Sequence, residues 1–361
     1  MKPTDLAVLP AYAELHCLSN FSFQRGASQP EELVERAAAL GYSALAITDE
    51  CSVAGVVRAH GEARKRGLKL LLGAEFRVTL EPAVQADTNR SGAPVPASSF
   101  TAVVLAHDLV GWGNLCEFIT VARRAAPKGQ YQLGWRGPYN QALWARLGHC
   151  ELLLVLPSAI NMEAACAVVT GARGLFGLNL WLAAGLRLGL DDAGKLYRLR
   201  RIGQLTGVPL VACGDVRMHL RSRKPLHDVL TAVRLGQPVA SCGFALQANA
   251  EAHLRSRERL GALYPAEWLA NTLVIADKCN FSLDELRYHY PLEAVLPGHT
   301  PAQTLRHYTQ EGAQVRYPQG TPSAVQQQLE HELALITELK YEMYFLTVHD
   351  IVRFARSRDI L

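Results

Sequence analysis

The hydrophobic and polar positions of the chain change period several times, and each change marks an element. In "SQPEELVERAAALG" the apolar residues recur at helical spacing. Ser28 is placed to cap, Pro30 suits the first turn, Glu31 completes a capping box and Gly41 ends the segment, so a helix is expected. "YSALAIT" is a short apolar run expected to be a buried strand, leading into Asp49, Glu50 and a second helix that Ser52 would cap and Gly67 would end. "LKLLLGAEFRV" is the next strand. Ahead of them, Tyr12 to Leu18 read at a strand's two-residue period put Tyr12, Glu14, His16 and Leu18 on one side, with Ala13, Leu15 and Cys17 on the other. Strand, helix, strand, helix, strand in close succession predicts a parallel sheet whose polar residues gather at the strands' C-terminal ends, where Asp49, Glu50 and Glu75 lie.

Further strands are expected at "FTAVVLA", 151–156, 175–183 and 208–213, with helices near 113–125, 138–147, 161–170 and 191–205. About seven strand and helix units fit a closed or nearly closed barrel better than an open sheet. Residues 81–99 are rich in Pro, Ser, Ala and Gly without periodicity and read as a mobile loop or insertion. Beyond residue 220 the strand signal fades into amphipathic helices in "KPLHDVLTAVRLG", "PAEWLANTLVIADKC" and "SAVQQQLEHELALITELK". Pro, Gly and Tyr concentrate in "LRYHYPLEAVLPGHT", 286–300, which sets the expected division at 1–285 and 286–361. The last helix, "TVHDIVRFARSRDIL", stops without a Gly or polar tail, as though cut between elements.

A length of 361 residues suits about two domains, and 49% hydrophobic against 19% charged residues is the balance of a globular protein. No apolar run approaches the roughly 18 residues of a membrane span. The N-terminus does not read as a signal peptide, so a cytoplasmic location without membrane contact is expected. The eight cysteines are scattered without a CxxC pair, which argues against a zinc ribbon or a disulfide framework and for small buried hydrophobes. A net charge of +4 does not establish nucleic-acid binding, and the clusters at 221–224, 255–259 and Arg353, Arg356 and Arg358 read as solvated helix faces.

His16, Asp49, Glu50, Glu75 and Asp215 each lie on or at the end of an expected strand, where a barrel would bring them to its mouth. Hydrolytic metal sites often begin with two histidines two residues apart on such a strand, and here the second place is Leu18. One histidine and a few acids do not hold two or three ions roughly 3.5–4 Å apart. A hydrogen-bonded core histidine beside Glu14, with Glu75 and Asp215 as structural acids and Asp49 as a helix cap, is the plainer expectation.

The segment from "AELHCLSNFSFQRGAS" to "GLKLLLGAEFRV" resembles the opening of a polymerase and histidinol phosphatase (PHP) domain, as found at the N-terminus of bacterial C-family polymerases. "LHCLSNFSF", "ITDECSVAGVVRAH" and "GDVRMHLRSRKPLHDVLTAVRLGQPVASCGFALQ" resemble most closely the error-prone alpha-type branch, and the likeness runs from Tyr12 to Leu361. It implies a distorted TIM-like (β/α)7 barrel followed by a mainly helical segment entering the polymerase palm. Active PHP domains carry His at the position of Leu18, Asp at Arg25, and His at Glu50. They also carry His near Thr101, Cys near Pro157 or Ser158, and His at Arg217, so that only His16, Glu75 and Asp215 match outright. Arg25 and Arg217 would set fixed positive charge where a dication should sit, a repulsion of several kcal/mol at an effective dielectric of about 20. The expected pocket is a remnant without metal, in which Arg25 and Arg217 pair with Asp215, Glu75 or Glu50.

The resemblance further implies that "LKYEMYFLTVHDIVRFARSRDIL" leads toward a Gly-rich, Ser-containing loop that touches the incoming nucleotide. The carboxylates holding magnesium for nucleotidyl transfer lie further on in the family, so no catalytic residue and no cofactor is expected within these residues. Tyr341, Tyr344 and Phe345 are expected to pack in a core rather than to stack on bases. The function implied is a scaffold region of an error-prone polymerase acting in translesion synthesis, with DNA, other damage-response proteins and a sliding clamp as partners. A metal-dependent phosphoesterase or 3'-5' exonuclease, and a protein interaction module, remain as alternatives.

Overall fold

A computed structural model describes residues 9–80, 99–286 and 294–360. Two compact units emerge, Met1–Leu286 and Arg287–Leu361. The expected loop at 81–99 falls outside the described residues except for Ser99, as does 287–293 within the expected boundary.

The first unit is a curled sheet of seven strands in sequence order with helices outside it. The strands are β1 (Ala13–Glu14), β2 (Ala44–Ile47), β3 (Lys69–Thr79), β4 (Ser99–Ala106), β5 (Cys150–Val155), β6 (Leu180–Ala184) and β7 (Leu210–Ala212). The helices between them are α1 (Pro30–Ala39), α2 (Val56–Arg66), α3 (Leu109–Arg124), α4 (Pro138–Ala145), α5 (Met162–Phe176) and α6 (Asp192–Thr206). After β7 follow α7 (Lys224–Leu235), α8 (Arg257–Leu263) and α9 (Ala266–Lys278). Local chemistry sets several ends. Asp108 accepts from Gly111 N at 2.8 Å to cap α3, Asn161 accepts from Ala164 N at 2.7 Å to cap α5, and left-handed Gly67 and Gly207 close α2 and α6.

Two apolar layers follow from the pleat. Ala13, Leu15, Ala44, Ala46, Leu71, Val103, Leu153, Ala183 and Val211 fill the barrel, while Leu45, Ile47, Phe76, Phe100 and Leu154 face the helices. At the strands' N-terminal ends α9 lies across β1 and β7: Thr272 accepts from Ala13 N at 3.1 Å and Asn271 donates to Leu210 O at 2.8 Å. At the opposite end a parallel bridge between Cys17 and Val216 joins the two edges.

Several expectations are corrected. The sheet is not all parallel, because β4 runs antiparallel to both β3 and β5; a continuous apolar run reads the same in either direction, so its pattern carries no strand direction. Gln29, not Ser28, precedes α1, and Glu32 rather than Glu31 accepts from its backbone N at 2.9 Å. Ser28 instead accepts from His219 N at 2.8 Å. Gly55 stands before α2, and Ser52 only closes a turn onto Ala54 N at 3.2 Å. Residues 175–179 belong to the end of α5 and a 3-10 turn, so β6 is shorter than expected. Strict alternation also fails in the first strand: Tyr12 and Cys17, five positions apart, lie in the same layer because the ladder with β2 stops at Glu14. Among the basic clusters, Arg255 is fully buried, its guanidinium donating to Leu186 O at 2.9 Å. The cysteines are free, six of them buried.

The second unit holds α10 (Pro301–Arg316), α11 (Ser323–Leu339) and α12 (Glu342–Ser357) around a small core of Leu305, Leu333 and Leu346. Thr300 and Gln303 form a capping box at the start of α10. Tyr341, Tyr344 and Phe345 are 52%, 49% and 43% exposed and so are not core residues as expected; the apolar stripe turned inward runs through Leu346 instead. No helix among the described residues is long and apolar enough to cross a membrane.

The outer layer is tied together by Trp144, fully buried with its ring 4.7 Å from that of Phe118 and 5.3 Å from that of Trp135. Trp144→Ala is expected to cost about 3–5 kcal/mol of unfolding free energy by leaving a cavity. Denaturant titration of the two proteins measures it, and a loss below about 1 kcal/mol would mean that this layer is not close-packed.

Candidate functional site

The bridge that joins the sheet edges also builds the barrel mouth. Val216 N donates to His16 O and Leu18 N donates to Val216 O, both at 2.9 Å, which sets His16 beside the segment after β7. Asp215 reaches this place through a left-handed backbone, φ +44°. Glu75 arrives from β3 on the inward face that Leu71 also occupies. The three residues therefore meet, each offering a ligand-type atom within 4.8 Å of the others.

Guanidiniums surround them. Arg25 Nη1 lies 2.6 Å from Glu75 Oε1 and also pairs with Glu50. His16 Nε2 lies 2.6 Å from Glu75 Oε2, and since a carboxylate only accepts, Nε2 carries the proton. Both oxygens of Glu75 are thus taken. Arg217 Nη2 sits 2.6 Å from Asp215 Oδ1 and 3.8 Å from Glu75 Oε2. Asp215 Oδ2 pairs with Arg187, a residue that sequence reasoning missed; the available signal was a basic side chain three positions beyond the end of β6.

The other expected residues fall as follows. Glu50 pairs backbone with Glu75 and accepts from the Tyr131 hydroxyl at 2.9 Å, a second partner the sequence did not indicate. Leu18 is fully buried. Thr101 pairs with Arg77 across β3 and β4 and is half-buried. Asp49 caps no helix. It is buried and accepts from Ser19 N at 2.8 Å and from the Ser19 and Ser22 hydroxyls at 2.7 Å, which fastens the segment after His16 to the end of β2. Glu14 takes Gly214 N at 2.9 Å, His16 N at 3.1 Å and the Tyr12 hydroxyl at 2.9 Å, so it holds the backbone of His16 while the ring turns to Glu75.

Charge states follow from these contacts. Burial alone would raise the Glu75 carboxyl, yet Arg25 and Arg217 outweigh it and hold it well below 4.5. Burial opposes charge on His16 as well, but Cys213 and Glu75 prevail and raise it to about 9. Burial lowers Arg217 and Arg187 to about 10, which leaves both charged at neutral pH.

Residues 14–179, which carry His16 and Glu75 of this mouth, match the PHP domain family. Residues 303–361 match the bacterial DNA polymerase III alpha NTPase domain. The chain is 49% identical over 356 residues to an error-prone DNA polymerase of Dechloromonas aromatica, covering 98% of this chain and 32% of that protein. It is 50% identical over 359 residues to one of Bordetella parapertussis, covering 98% and 33%, and 49% identical over 352 residues to one of Methylococcus capsulatus, covering 97% and 31%. The chain spans about a third of the length of these relatives.

Removing the shared carboxylate leaves two guanidiniums short of a partner. Glu75→Gln is expected to cost about 3–5 kcal/mol, against under about 1 kcal/mol for breaking the exposed Arg58–Glu31 pair by Glu31→Gln. Equal losses in urea titrations would contradict the ion-pair hub.

The pH profile of stability should have two limbs. Glu75, depressed when folded, contributes fully above its ordinary 4.5, and that share is lost as pH falls through the folded value. His16, raised when folded, contributes fully below 6.5, and that share is lost as pH rises through about 9. Melting temperatures from acid to alkaline pH test both limbs, and Glu75→Gln should flatten them; identical profiles for the two proteins would refute the coupling.

Proposed function

We propose that this chain acts as the PHP scaffold of an error-prone DNA polymerase and that ion pairs rather than metal ions hold its barrel mouth. The observation that carries the reading is the occupancy of Glu75, whose Oε1 faces Arg25 at 2.6 Å and whose Oε2 faces His16 at 2.6 Å. A metal ion would have to displace one of them, and would meet Arg217 and Arg187 on Asp215 as well. Leu18, Arg25, Glu50, Thr101 and Arg217 stand where the family resemblance implies other residues, and Leu18 and Thr101 offer a dication no side-chain nitrogen. The residues present fit a cluster of divalent cations poorly.

In this reading the chain performs no chemistry alone. Nucleotidyl transfer and its magnesium ions belong to the rest of a polymerase, since this chain spans about a third of relatives named error-prone DNA polymerase. Contacts to a sliding clamp and to damage-response proteins, action in translesion synthesis and a cytoplasmic location complete the proposal. A metal-dependent phosphoesterase is the second reading, favoured by the three donors within 4.8 Å.

Elemental analysis of chelator-free protein should return substoichiometric zinc, manganese and iron, with no hydrolysis of a nitrophenyl phosphodiester. The combined change Leu18→His, Arg25→Asp, Glu50→His and Arg217→His should increase metal uptake. Stoichiometric metal in the unaltered chain, with phosphodiester hydrolysis, would replace this reading by the second.

A further inference from the structure

The rim of the mouth carries features that the ion-pair hub does not use. Residues 19–26 cross it as a tightly hydrogen-bonded loop. Ser22 donates to Asp49 at 2.7 Å and accepts from Glu50 N at 2.9 Å, while Arg25 N and Gly26 N donate to Ser22 O at 2.9 and 3.1 Å. Any side chain at Gly26 would run into the Ser19 carbonyl, its Cβ falling 1.9 Å from that oxygen. The loop is therefore fixed, yet it presents Phe23 at 81% exposure, between Ser22 and a left-handed Gln24, φ +59°. A lone exposed phenyl is ordinary on a protein surface. This one precedes a residue whose carbonyl receives a guanidinium.

Arg234, on α7, donates to the carbonyl of Gln24 at 3.0 Å, one residue from Phe23. Arg77 follows Glu75 on the inward face of β3, its backbone N donating to Tyr131 Oη at 2.7 Å. Neither guanidinium has a carboxylate within ion-pair distance among the described residues, unlike Arg25, Arg187 and Arg217. Arg234 also leaves its buried Nε without a hydrogen-bond partner. Glu50 attracts both Arg77 and Arg234 at longer range but is already paired with Arg25, so guanidinium is in surplus here and calls for an anion. A flat apolar ring held outward on the adjoining loop calls for a second flat group.

We propose that this rim is a contact site for single-stranded nucleic acid, with a backbone phosphate at Arg234 and Arg77 and a base stacked on Phe23. The inference deepens the polymerase reading and rests on it. A scaffold whose mouth is closed to metal would thereby still hold a strand. The loop backbone is already held in place, so little backbone entropy opposes stacking.

The test is fluorescence anisotropy of a labelled short oligothymidylate with the 361-residue chain at two salt concentrations. Phe23→Ala should weaken binding roughly 5- to 100-fold, as expected for loss of one stacked base, and Phe23→Trp should restore it. Arg234→Gln should make the salt slope shallower by about 0.7. An abasic oligomer should bind the unaltered chain and Phe23→Ala alike. Because Phe23 is exposed, its variants should melt with the parent. Unchanged oligothymidylate binding by Phe23→Ala and Arg234→Gln would overturn the proposal. So would an anion preference satisfied by inorganic phosphate with no dependence on Phe23. Metal content measured on the same preparations separates the two claims. An unaltered chain that is free of metal and binds no oligothymidylate removes this inference alone, and one that binds it while holding stoichiometric metal removes the ion-pair reading alone.

Discussion

A carboxylate taken out of water must find positive charge, and Glu75, 2% exposed at the barrel mouth, finds it from three directions. Arg25 comes from the loop after the first strand, His16 from that strand's extension, and Arg217 from the segment after the last strand. These are the two edges of the sheet, with β3 between them in sequence. Glu75 therefore links the start, middle and end of the barrel through one charged group. Burying it without those partners would cost several kcal/mol, so fold and charge pattern are required together.

The same geometry bears on chemistry. His16, Glu75 and Asp215 have the identities and spacing of metal donors, but the carboxylate oxygens of Glu75 and Asp215 already face guanidinium or imidazole groups. An arginine differs from an ion in one important way: it is tethered. It cannot be stripped by a chelator, it presents no open coordination position, and it polarises no water into a nucleophile. In the proposed reading, substituting one for the other conserves electrostatic glue while abandoning hydrolysis. Buried pairs add little net stability over an apolar core, so their value here lies in registering one strand end against another.

Much of this was legible in the residues. The apolar runs located seven strands, and the acids at their C-terminal ends marked the mouth. Arg25 and Arg217 could be read as partners for Glu50, Glu75 and Asp215 because the family resemblance set them at the pocket, where their charge opposes those acids. What periodicity could not supply was direction and local irregularity. That β4 runs against its neighbours could not be read, because an apolar run carries no strand direction. The ring of His16 turns away from Glu14 because the ladder with β2 ends there. Asp49 looked like a cap, but it fastens a loop through Ser19 and Ser22, a contact across 27 to 30 residues that no local pattern shows. Arg187 was hidden for the same reason, since its partner Asp215 is 28 positions away and belongs to another strand end.

Crystals grown with zinc and with manganese, measured at each absorption edge, address the central claim most directly. The account predicts no anomalous peak among His16, Glu75 and Asp215, and ordinary density for guanidinium nitrogens seated on both carboxylates. A strong peak coordinated by those three side chains, with Arg25 and Arg217 swung aside, would contradict it.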